Sequence, residues 1–336
     1  MKQKHFTIPI FIPMQACPFR CIFCDQEKIS GHVDIPNPGD VVQIIEKHLA
    51  TIPSSNSIIE VGFFGGTFTG LTIATQQSYL EAIQPFIKNK QVMGIRLSTR
   101  PDFIDKEKLK MLKEYSVQTI ELGAQSMDDE VLRKSGRGHA AENTLKASKL
   151  IIDYGFRLGL QMMVGLPGDS TEKSVATAKS FVELNAQDVR IYPALVIKDT
   201  PLEKLFNSGK FVPLDLDKAV EVVAKVYRIF EEAGINIIRT GLHPSDGLLF
   251  GGDLIAGPFH VSFKELVLTK LWEEALQGLF AKGSKETVEI FIPSGQINYA
   301  VGYQSTNKNK LLIKFKSVRF KTDQNLSGRN YYADFS

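Results

Sequence analysis

The hydrophobic positions of the chain fall into two alternating kinds of segment. Short runs rich in β-branched and aromatic residues predict strands at Phe6–Ile12, Ile58–Phe63, Gly94–Ser98, Thr119–Gly123, Leu158–Val164 and Val189–Tyr192. Longer amphipathic segments between them predict helices at about Val41–Ala50, Thr75–Asn89, Lys106–Tyr115, Asn143–Tyr154, Glu172–Leu184 and Leu216–Ala233. Six βα units in succession are typical of an α/β protein with a parallel sheet. A seventh run, Asn236–Arg239, could close or extend that sheet.

The regular alternation of predicted strands and helices ends after residue 240. A loop-rich stretch is followed by a predicted helix at Phe263–Leu276 and then by three strand-like pieces, Thr287–Pro293, Ile297–Tyr303 and Lys310–Phe315. We interpret these pieces as a small antiparallel appendage. The expected domains are therefore a core barrel over residues 1–240 and a C-terminal extension with a helix and short strands over residues 241–336.

Unusual tripeptides follow the predicted strands. Cysteines follow the first strand, and the next turns contain Gly65-Gly66-Thr67, Thr99-Arg100-Pro101, Ala124-Gln125-Ser126 and Gly165-Leu166-Pro167-Gly168. Ligands bind at the carboxyl ends of the strands in barrels and in open parallel sheets, so these turns predict one functional edge. Gly and Pro also simply end strands, and this simpler interpretation stays open for any single turn.

The composition excludes several classes of protein but does not indicate a binding partner. With 336 residues, 43% of them apolar, and a mean hydropathy of −0.07, the chain is an ordinary globular protein, which excludes collagen, disorder and membrane spans. All three cysteines lie between residues 17 and 24, so a disulfide framework is not expected. Because disulfides are rare in reducing compartments, we expect the protein to be cytoplasmic. The net charge of +3 is too small to indicate a partner.

Charge is distributed unevenly along the chain. Residues 281–336 contain nine Lys and Arg against four Asp and Glu, a net charge of +5, and the remaining chain carries −2. The basic side chains include Lys308, Lys310, Lys314, Lys316, Arg319 and Lys321. This pattern fits either the solvated face of an edge strand or a basic binding surface.

The three cysteines form a C-x-x-x-C-x-x-C motif of Cys17, Cys21 and Cys24. Structural zinc requires four closed ligands, and His32 could supply the fourth, but a second cysteine pair or a histidine pair is missing from the sequence. A cubane iron–sulfur cluster held by three thiolates instead leaves one iron open for chemistry. The spacing therefore favours a cluster over zinc.

This spacing, with Phe23 before the last cysteine, is similar to the signature of the radical S-adenosylmethionine (SAM) superfamily. About Thr7 to Ala233 also resembles the radical-SAM domain of the Elongator catalytic subunit, with a weaker likeness to oxygen-independent coproporphyrinogen oxidase. Five motifs in the family's order carry the resemblance: Phe64–Phe68 (FGGTF), Ser98–Asp102 (STRPD), Glu121–Ser126 (ELGAQS), Arg137–His139 (RGH) and Val164–Gly168 (VGLPG).

The resemblance implies a partial (β/α)6 TIM-like barrel and an enzyme with a 4Fe-4S cluster on Cys17, Cys21 and Cys24. In that family the reduced cluster cleaves SAM to methionine and a 5′-deoxyadenosyl radical, which abstracts hydrogen. The resemblance also implies an electron donor such as flavodoxin or ferredoxin and no membrane partner.

Carried over residue by residue, the resemblance assigns SAM binding to Gly65, Gly66, Thr67, Ser98, Gln125, Arg137, Gln161 and Gly165. Thr67 stands where many members have Glu beside the SAM amine, and Ser98 and Gln161 also replace acidic residues. Arg137 matches the residue that pairs with the SAM carboxylate, for which a guanidinium is a natural bidentate partner. The turn from Gly165 to Gly168 resembles the one that passes beneath adenine.

Three functions remain open for the chain. The first is a radical SAM enzyme that abstracts hydrogen from a tRNA base, favoured by the Elongator-like core and the basic tail. The second is a radical SAM enzyme acting on a small molecule such as a tetrapyrrole. The third is a carrier of a cluster or haem that retains the fold without catalysis.

Overall fold

The structure is a computed structural model, and it describes residues 4–12, 17, 21–31, 34–53, 57–282 and 287–336. Its strands, numbered in chain order, are β1 Lys4–Ile12, β2 Ser57–Gly65, β3 Gly94–Thr99, β4 Val117–Gln125, β5 Arg157–Val164, β6 Asp188–Pro193, β7 Val196–Ile197, β8 Asn236–Thr240, β9 Leu254–Ala256, β10 Thr287–Pro293, β11 Ser317–Asp323 and β12 Tyr332–Phe335.

The helices alternate with these strands in the first two-thirds of the chain. They are α1 Gln26–Ser30, α2 Pro38–Leu49, α3 Ile73–Lys88, α4 Lys106–Glu114, α5 Asp129–Lys134, α6 Ala141–Asp153, α7 Thr171–Glu183, α8 Pro201–Asn207, α9 Leu216–Glu232, α10 Asp246–Leu249, α11 Phe263–Ala275, α12 Gln277–Lys282, α13 Ile297–Val301 and α14 Thr306–Leu312. Short 3₁₀ turns lie at Phe68–Gly70, Pro101–Phe103 and Tyr303–Ser305. No helix in the described parts of the chain is long and apolar enough to cross a membrane.

Seven of the strands form one parallel sheet in the order β1-β2-β3-β4-β5-β6-β8. Each strand pairs with the one before it in the βα series, which is the arrangement of a barrel wall rather than of a doubly wound sheet. The predicted α/β partial barrel is confirmed, and the seventh run extends the sheet as β8. All seven strands predicted for this sheet are present, and their observed ends differ from the predicted ones by at most two residues.

Alternation along each strand separates a helix-facing side from a barrel interior. On β1, Ile8, Ile10 and Ile12 are at most 3% exposed and join the large core cluster beneath the helices. Polar and charged side chains such as Glu60 and Arg96 occupy the alternate positions and face the interior. This face carries the candidate chemistry.

Capping side chains stabilise the starts of several helices. Asp105 accepts a hydrogen bond from the Lys108 backbone N at 2.9 Å, and Asp215 accepts one from the Lys218 backbone N at 2.7 Å. Ser170 caps α7 in the same way. Each such cap contributes about 1 kcal/mol and keeps the preceding loop short.

The C-terminal region corrects two strand predictions. Thr287–Pro293 is a strand, but Ile297–Tyr303 forms α13 and a 3₁₀ turn, and Lys310–Phe315 contains the end of α14. Leu311 and Phe315, four residues apart, are both buried, whereas Ile313 between them is 81% exposed. The apolar residues were therefore spaced for a helical turn, which a six-residue run cannot distinguish from a strand.

The sheet of the appendage is mixed rather than antiparallel. β10 lies in its centre, pairs parallel with β11 and pairs antiparallel with β12. Its buried side packs on a second core cluster that includes Trp272. Phe263 and Val267 of the same helix, α11, belong to the barrel core instead. Helix α11 thus contributes to both cores, and the division at residue 240 stays a prediction.

Candidate cluster and cofactor site

The cysteine loop is anchored to two elements at the carboxyl ends of the strands, an edge that we call the barrel mouth. Ile22 donates its backbone N–H to the Ser135 carbonyl at 3.2 Å, and its own carbonyl accepts from the Leu202 backbone N at 2.8 Å. Phe23 is 7% exposed and packs in a small cluster that includes Val131. The loop is therefore tied to the start of α8 and to the turn after α5.

The cysteine side chains lie in a shielded environment. Cys21 is buried, and Cys17 and Cys24 are partly buried. Burial and the neighbouring Cys21 and Cys17 raise the pKa of the Cys24 thiol to about 12, although Arg137 acts in the opposite direction. Because cysteine binds metals as the thiolate, positive charge is needed at this site to stabilise that form.

Three cysteines are the ligand set of a cubane cluster with one open iron. Within the described ranges, no three His, Cys, Asp or Glu side chains are arranged to hold one metal ion. Thiolates of a cubane cluster ligate different irons, so they need not converge on a single point. His32, considered as a fourth zinc ligand, lies outside the described residues.

Two of the three sulfurs contact a polar side chain from a distant part of the chain. Cys17 Sγ lies 3.2 Å from Thr67 Oγ1, and Cys21 Sγ accepts from Arg137 Nη1 at 3.1 Å. Arg137 Nη2 donates to the Gly123 carbonyl. Its buried Nε has no hydrogen-bond partner among the described residues. The donor set therefore matches sulfur ligands that carry negative charge.

The glycine pair lies where β2 ends beside β1. Gly65 has a φ of +103°, and a Cβ on it would lie 3.3 Å from backbone atoms of Ile12. Glycine is required there for both conformation and space. Gly66, Thr67 and Ser98 line one recess of about 10 Å³ with neighbouring apolar residues. Three of the predicted SAM contacts are thus grouped together.

Two glutamines form a second group on the adjoining strands β4 and β5. Gln161 Nε2 donates to Gln125 Oε1 at 3.3 Å. Gln125 is 5% exposed and has a φ of +67°, a conformation that non-glycine residues rarely adopt. Such strain is concentrated at functional sites, where the surrounding structure maintains it. Sequence reasoning identified Gln125 but not its strained backbone.

The turn after β5 depends on a residue that sequence reasoning missed. Gly165, with a φ of +78°, donates its backbone N–H to Asp169 Oδ2 at 2.8 Å. The same carboxylate accepts from Ser174 Oγ at 2.8 Å. Burial raises the pKa of Asp169 despite these hydrogen bonds. Its position directly after the Gly-Leu-Pro-Gly turn was the available signal for this role.

His139 lies beside Arg137 and is 9% exposed. Burial, together with the nearby positive charge of Arg137, lowers the pKa of its imidazole to about 4. Its Nδ1 lies 3.3 Å from the Ala140 carbonyl, and the buried Nε2 has no hydrogen-bond partner within the described ranges. His139 is therefore a neutral imidazole at pH 7.

A largely buried ionic network, in which Arg157 alone is exposed, lies deeper in the barrel, toward the amino ends of the strands. We call it the barrel-floor network; its members are Glu60, Arg96, Glu121, Arg157, Asp188 and Arg190. Arg96 Nη1 lies 2.9 Å from Glu121 Oε1, and Arg190 Nε lies 2.5 Å from Glu121 Oε2. Sequence reasoning missed this network, although isolated charges within otherwise apolar strands were a signal for it.

Comparison with protein families gives two matches along the chain. A model described as the radical SAM superfamily matches residues 11–181, just over half of the chain. A model described as the radical SAM C-terminal domain matches residues 186–273.

Two curated relatives match parts of this chain. An uncharacterized protein of Methanocaldococcus jannaschii is 30% identical over 231 residues, 66% of this chain and 71% of the relative. A tRNA uridine(34) acetyltransferase of Methanocaldococcus infernus is 28% identical over 189 residues, 49% of this chain and 35% of the relative. This chain therefore matches only about a third of that acetyltransferase.

A solved structure supports the fold. The N-terminally truncated archaeal Elp3 of Methanocaldococcus infernus superposes with a TM-score of 0.65 at 22% identity, covering 82% of this chain and 64% of that one. The shared fold agrees with the family match, and the family implies SAM and a 4Fe-4S cluster. The chain is an enzyme of the radical SAM superfamily.

Proposed function

We propose that this chain holds a 4Fe-4S cluster on Cys17, Cys21 and Cys24 and uses it with SAM to abstract hydrogen from a tRNA base. The observation that carries the proposal is the cysteine motif at the end of β1, with Thr67 and Arg137 in contact with two of its sulfurs. When bound, the cluster supplies the electron that cleaves SAM to methionine and the 5′-deoxyadenosyl radical.

The cysteines and their neighbours fit a 4Fe-4S cluster. Three cysteines are a ligand set for a cubane cluster with one open iron. Arg137 brings positive charge to a sulfur in a site where burial otherwise disfavours the thiolate. The anchored loop of Ile22 and Phe23 shields the site from water on one side.

SAM would lie across the barrel mouth on the two groups of predicted contacts. Gly65, Gly66, Thr67 and Ser98 form one side, and Gln125, Gln161 and Gly165 form the other. Arg137 contacts Cys21 and the Gly123 carbonyl through its two Nη atoms, and its unpartnered Nε would provide a donor for the SAM carboxylate. Buried nitrogens without partners are uncommon in folded proteins, which supports a ligand at this position.

The tRNA part of the proposal depends on relatives and on the basic tail. Two kinds of curated relatives carry names that include tRNA uridine(34) acetyltransferase and Elongator complex protein 3. This chain matches at most about half of their lengths, so the likeness covers only part of each relative. We further propose that the enzyme acts in the cytoplasm with an electron donor such as flavodoxin or ferredoxin.

Reconstitution under anaerobic conditions tests the proposal in two steps. Iron, sulfide and visible absorbance measure the cluster, and mass spectrometry after reduction measures 5′-deoxyadenosine formed from SAM. We expect about four irons per chain. We also expect more 5′-deoxyadenosine when tRNA is added than when a tetrapyrrole is added. Stimulation by the tetrapyrrole alone would reject tRNA as substrate, and bound zinc without iron or sulfide would reject the cluster.

A further inference from the structure

We propose that Thr67 tunes the reduction potential of the cluster by donating its hydroxyl hydrogen to the sulfur of Cys17. The inference rests on the proposed cluster and adds a role for a residue that the family resemblance placed against the SAM amine. It makes Thr67 a positioning and tuning residue that acts through a cluster ligand.

Ligation of iron by Cys17 would make the Thr67 hydroxyl the donor. Thr67 Oγ1 lies 3.2 Å from Cys17 Sγ, and in a free thiol either atom could donate. A cysteine that ligates iron is a thiolate and has no hydrogen, so the shared hydrogen must come from Thr67. The side chain is 1% exposed, and water therefore does not compete for this contact.

The hydroxyl is also not used where a threonine in this position commonly bonds. Thr67 precedes the 3₁₀ turn Phe68–Gly70, a position where threonine oxygens usually accept from a backbone N–H. No such cap bond is present. The turn is closed by its backbone instead, since the Thr67 carbonyl accepts from the Gly70 N at 2.9 Å. The hydroxyl thus bonds the sulfur rather than the helix end.

A second cluster ligand, Cys21, accepts a hydrogen bond from a charged donor, the guanidinium of Arg137. Arg137 Nη1 lies 3.1 Å from the Cys21 sulfur and belongs to the turn after α5. The two donors therefore contact two different ligands and come from two distant parts of the chain. Such hydrogen bonds to cluster sulfurs are one of the means by which proteins set cluster potentials.

The direction of the effect follows from charge. Reduction adds one electron to the cluster and increases the negative charge on its sulfurs. A donor at Cys17 stabilises the reduced form more than the oxidised form, so removing it makes reduction harder. We expect the potential of a variant without the hydroxyl to become more negative.

Thr67→Val removes the hydroxyl with little change in shape, and Thr67→Ser keeps the hydroxyl while removing the methyl group. Each protein is reconstituted, titrated with dithionite in the presence of redox mediators and without SAM, and followed by electron paramagnetic resonance. At a fixed applied potential, we expect the ratio of reduced to oxidised cluster to fall about tenfold in Thr67→Val, a shift of about 59 mV for one electron. Thr67→Ser should stay close to wild type.

The controls separate this inference from the proposed function. Absence of iron and sulfide from wild-type protein would refute the cluster itself, whereas a normal cluster with an unchanged potential in Thr67→Val would refute only the role of Thr67. Thr67→Ala removes the same hydroxyl with a different change in packing, so it should shift the potential in the same direction even if Thr67→Val loads poorly. Equal shifts in the Ser and Val variants, or weaker SAM affinity with an unchanged potential, would also overturn the inference.

Discussion

The floor and the mouth of the barrel differ in how their buried charged groups are paired. In the barrel-floor network each charge has an opposite charge beside it; Glu121, for example, lies between Arg96 and Arg190. At the mouth, Arg137 Nε and His139 Nε2 are buried without hydrogen-bond partners among the described residues. Charges at the floor are thus balanced by opposite charges within the chain, whereas Arg137 and His139 at the mouth have no carboxylate partner among the described residues.

This difference separates structural from functional polar groups. A buried ion pair is balanced within the chain, and breaking it leaves a charge without compensation. A buried nitrogen without a partner is costly unless a ligand completes it. We therefore expect changes at the floor to reduce the stability of the fold, and changes at the mouth to reduce the binding of cluster and SAM.

Cysteine replacement should have the largest effect at the mouth. Each of Cys17→Ala, Cys21→Ala and Cys24→Ala should remove the visible absorbance and about four irons per chain, because a cubane cluster with an open iron has only three thiolates here. Iron analysis and far-ultraviolet circular dichroism measure loading and folding separately. Full iron content in Cys24→Ala would contradict the three-ligand site.

At the floor, Glu121→Gln should cost about 3 kcal/mol of unfolding free energy, because the buried Arg96 and the partly buried Arg190 lose a shared carboxylate. Urea unfolding measures the loss. Glu142→Gln is the matched control, since Glu142 pairs with Lys146 on an exposed helix face, and its stability should not change measurably. An equally stable Glu121→Gln protein would remove the distinction between floor and mouth.

Arg137→Ala should weaken SAM binding by about 2–3 kcal/mol, the scale of a charge-assisted hydrogen bond. Calorimetry on the reconstituted protein measures the affinity. Since Arg137 also donates to Cys21, iron content must be measured in the same samples. Unchanged SAM affinity in a fully loaded variant would reject Arg137 as the carboxylate partner.

Acidification should destabilise the fold through His139. Its pKa falls from 6.5 to about 4 on folding, through burial and the charge of Arg137. The unfolded chain therefore takes up this proton first, and stability present above pH 6.5 is lost as the pH falls toward 4. Between pH 7 and 5 the loss is about 2 kcal/mol. His139→Gln, compared in the same state of metal loading, should lose less stability over this range by urea unfolding.

The barrel was predictable because its signal is repeated. Six βα units each carry a strand run and an amphipathic helix, and the sequential pairing follows from their order. The appendage lacked that repetition. The run from Lys310 to Phe315 is shorter than two helical turns, so a helix and a strand fitted its apolar residues equally well.

The cluster ligands could be predicted from the sequence because the three cysteines are close together in it. The contacts that complete the site are not: Thr67 is 50 residues from Cys17, and Arg137 is 116 residues from Cys21. The resemblance pointed to both residues as SAM contacts, but only the folded barrel places them against the sulfurs. The barrel-floor network was missed for the same reason, because Arg96 and Glu121 meet only after their strands pair.

The distinction between partnered and unpartnered charge also applies to the basic tail. Arg319 and Lys321 both pair with Glu289, and Lys310 pairs with Glu273. Ion pairs within the chain reduce the charge that these side chains present to a phosphate backbone. The remaining lysines, Lys308, Lys314 and Lys316, are exposed or partly exposed and have no ion pair within the described ranges.

If the tail binds tRNA, the unpaired lysines should carry the salt dependence. Replacing Lys308, Lys314 and Lys316 together by Gln should flatten the slope of log affinity against log salt by about two to three units, since each phosphate contact releases counterions. Replacing Arg319 and Lys321 by Gln, which changes charges already paired with Glu289, should flatten it less. Filter binding with tRNA from low to moderate salt measures both slopes, and 5′-deoxyadenosine formation without substrate should stay constant in both variants. If both groups of substitutions reduce the salt slope equally, the ion pairs with Glu289 must open on tRNA binding. If wild-type protein does not bind tRNA at low salt, the tail is a solvated surface without a nucleic-acid partner.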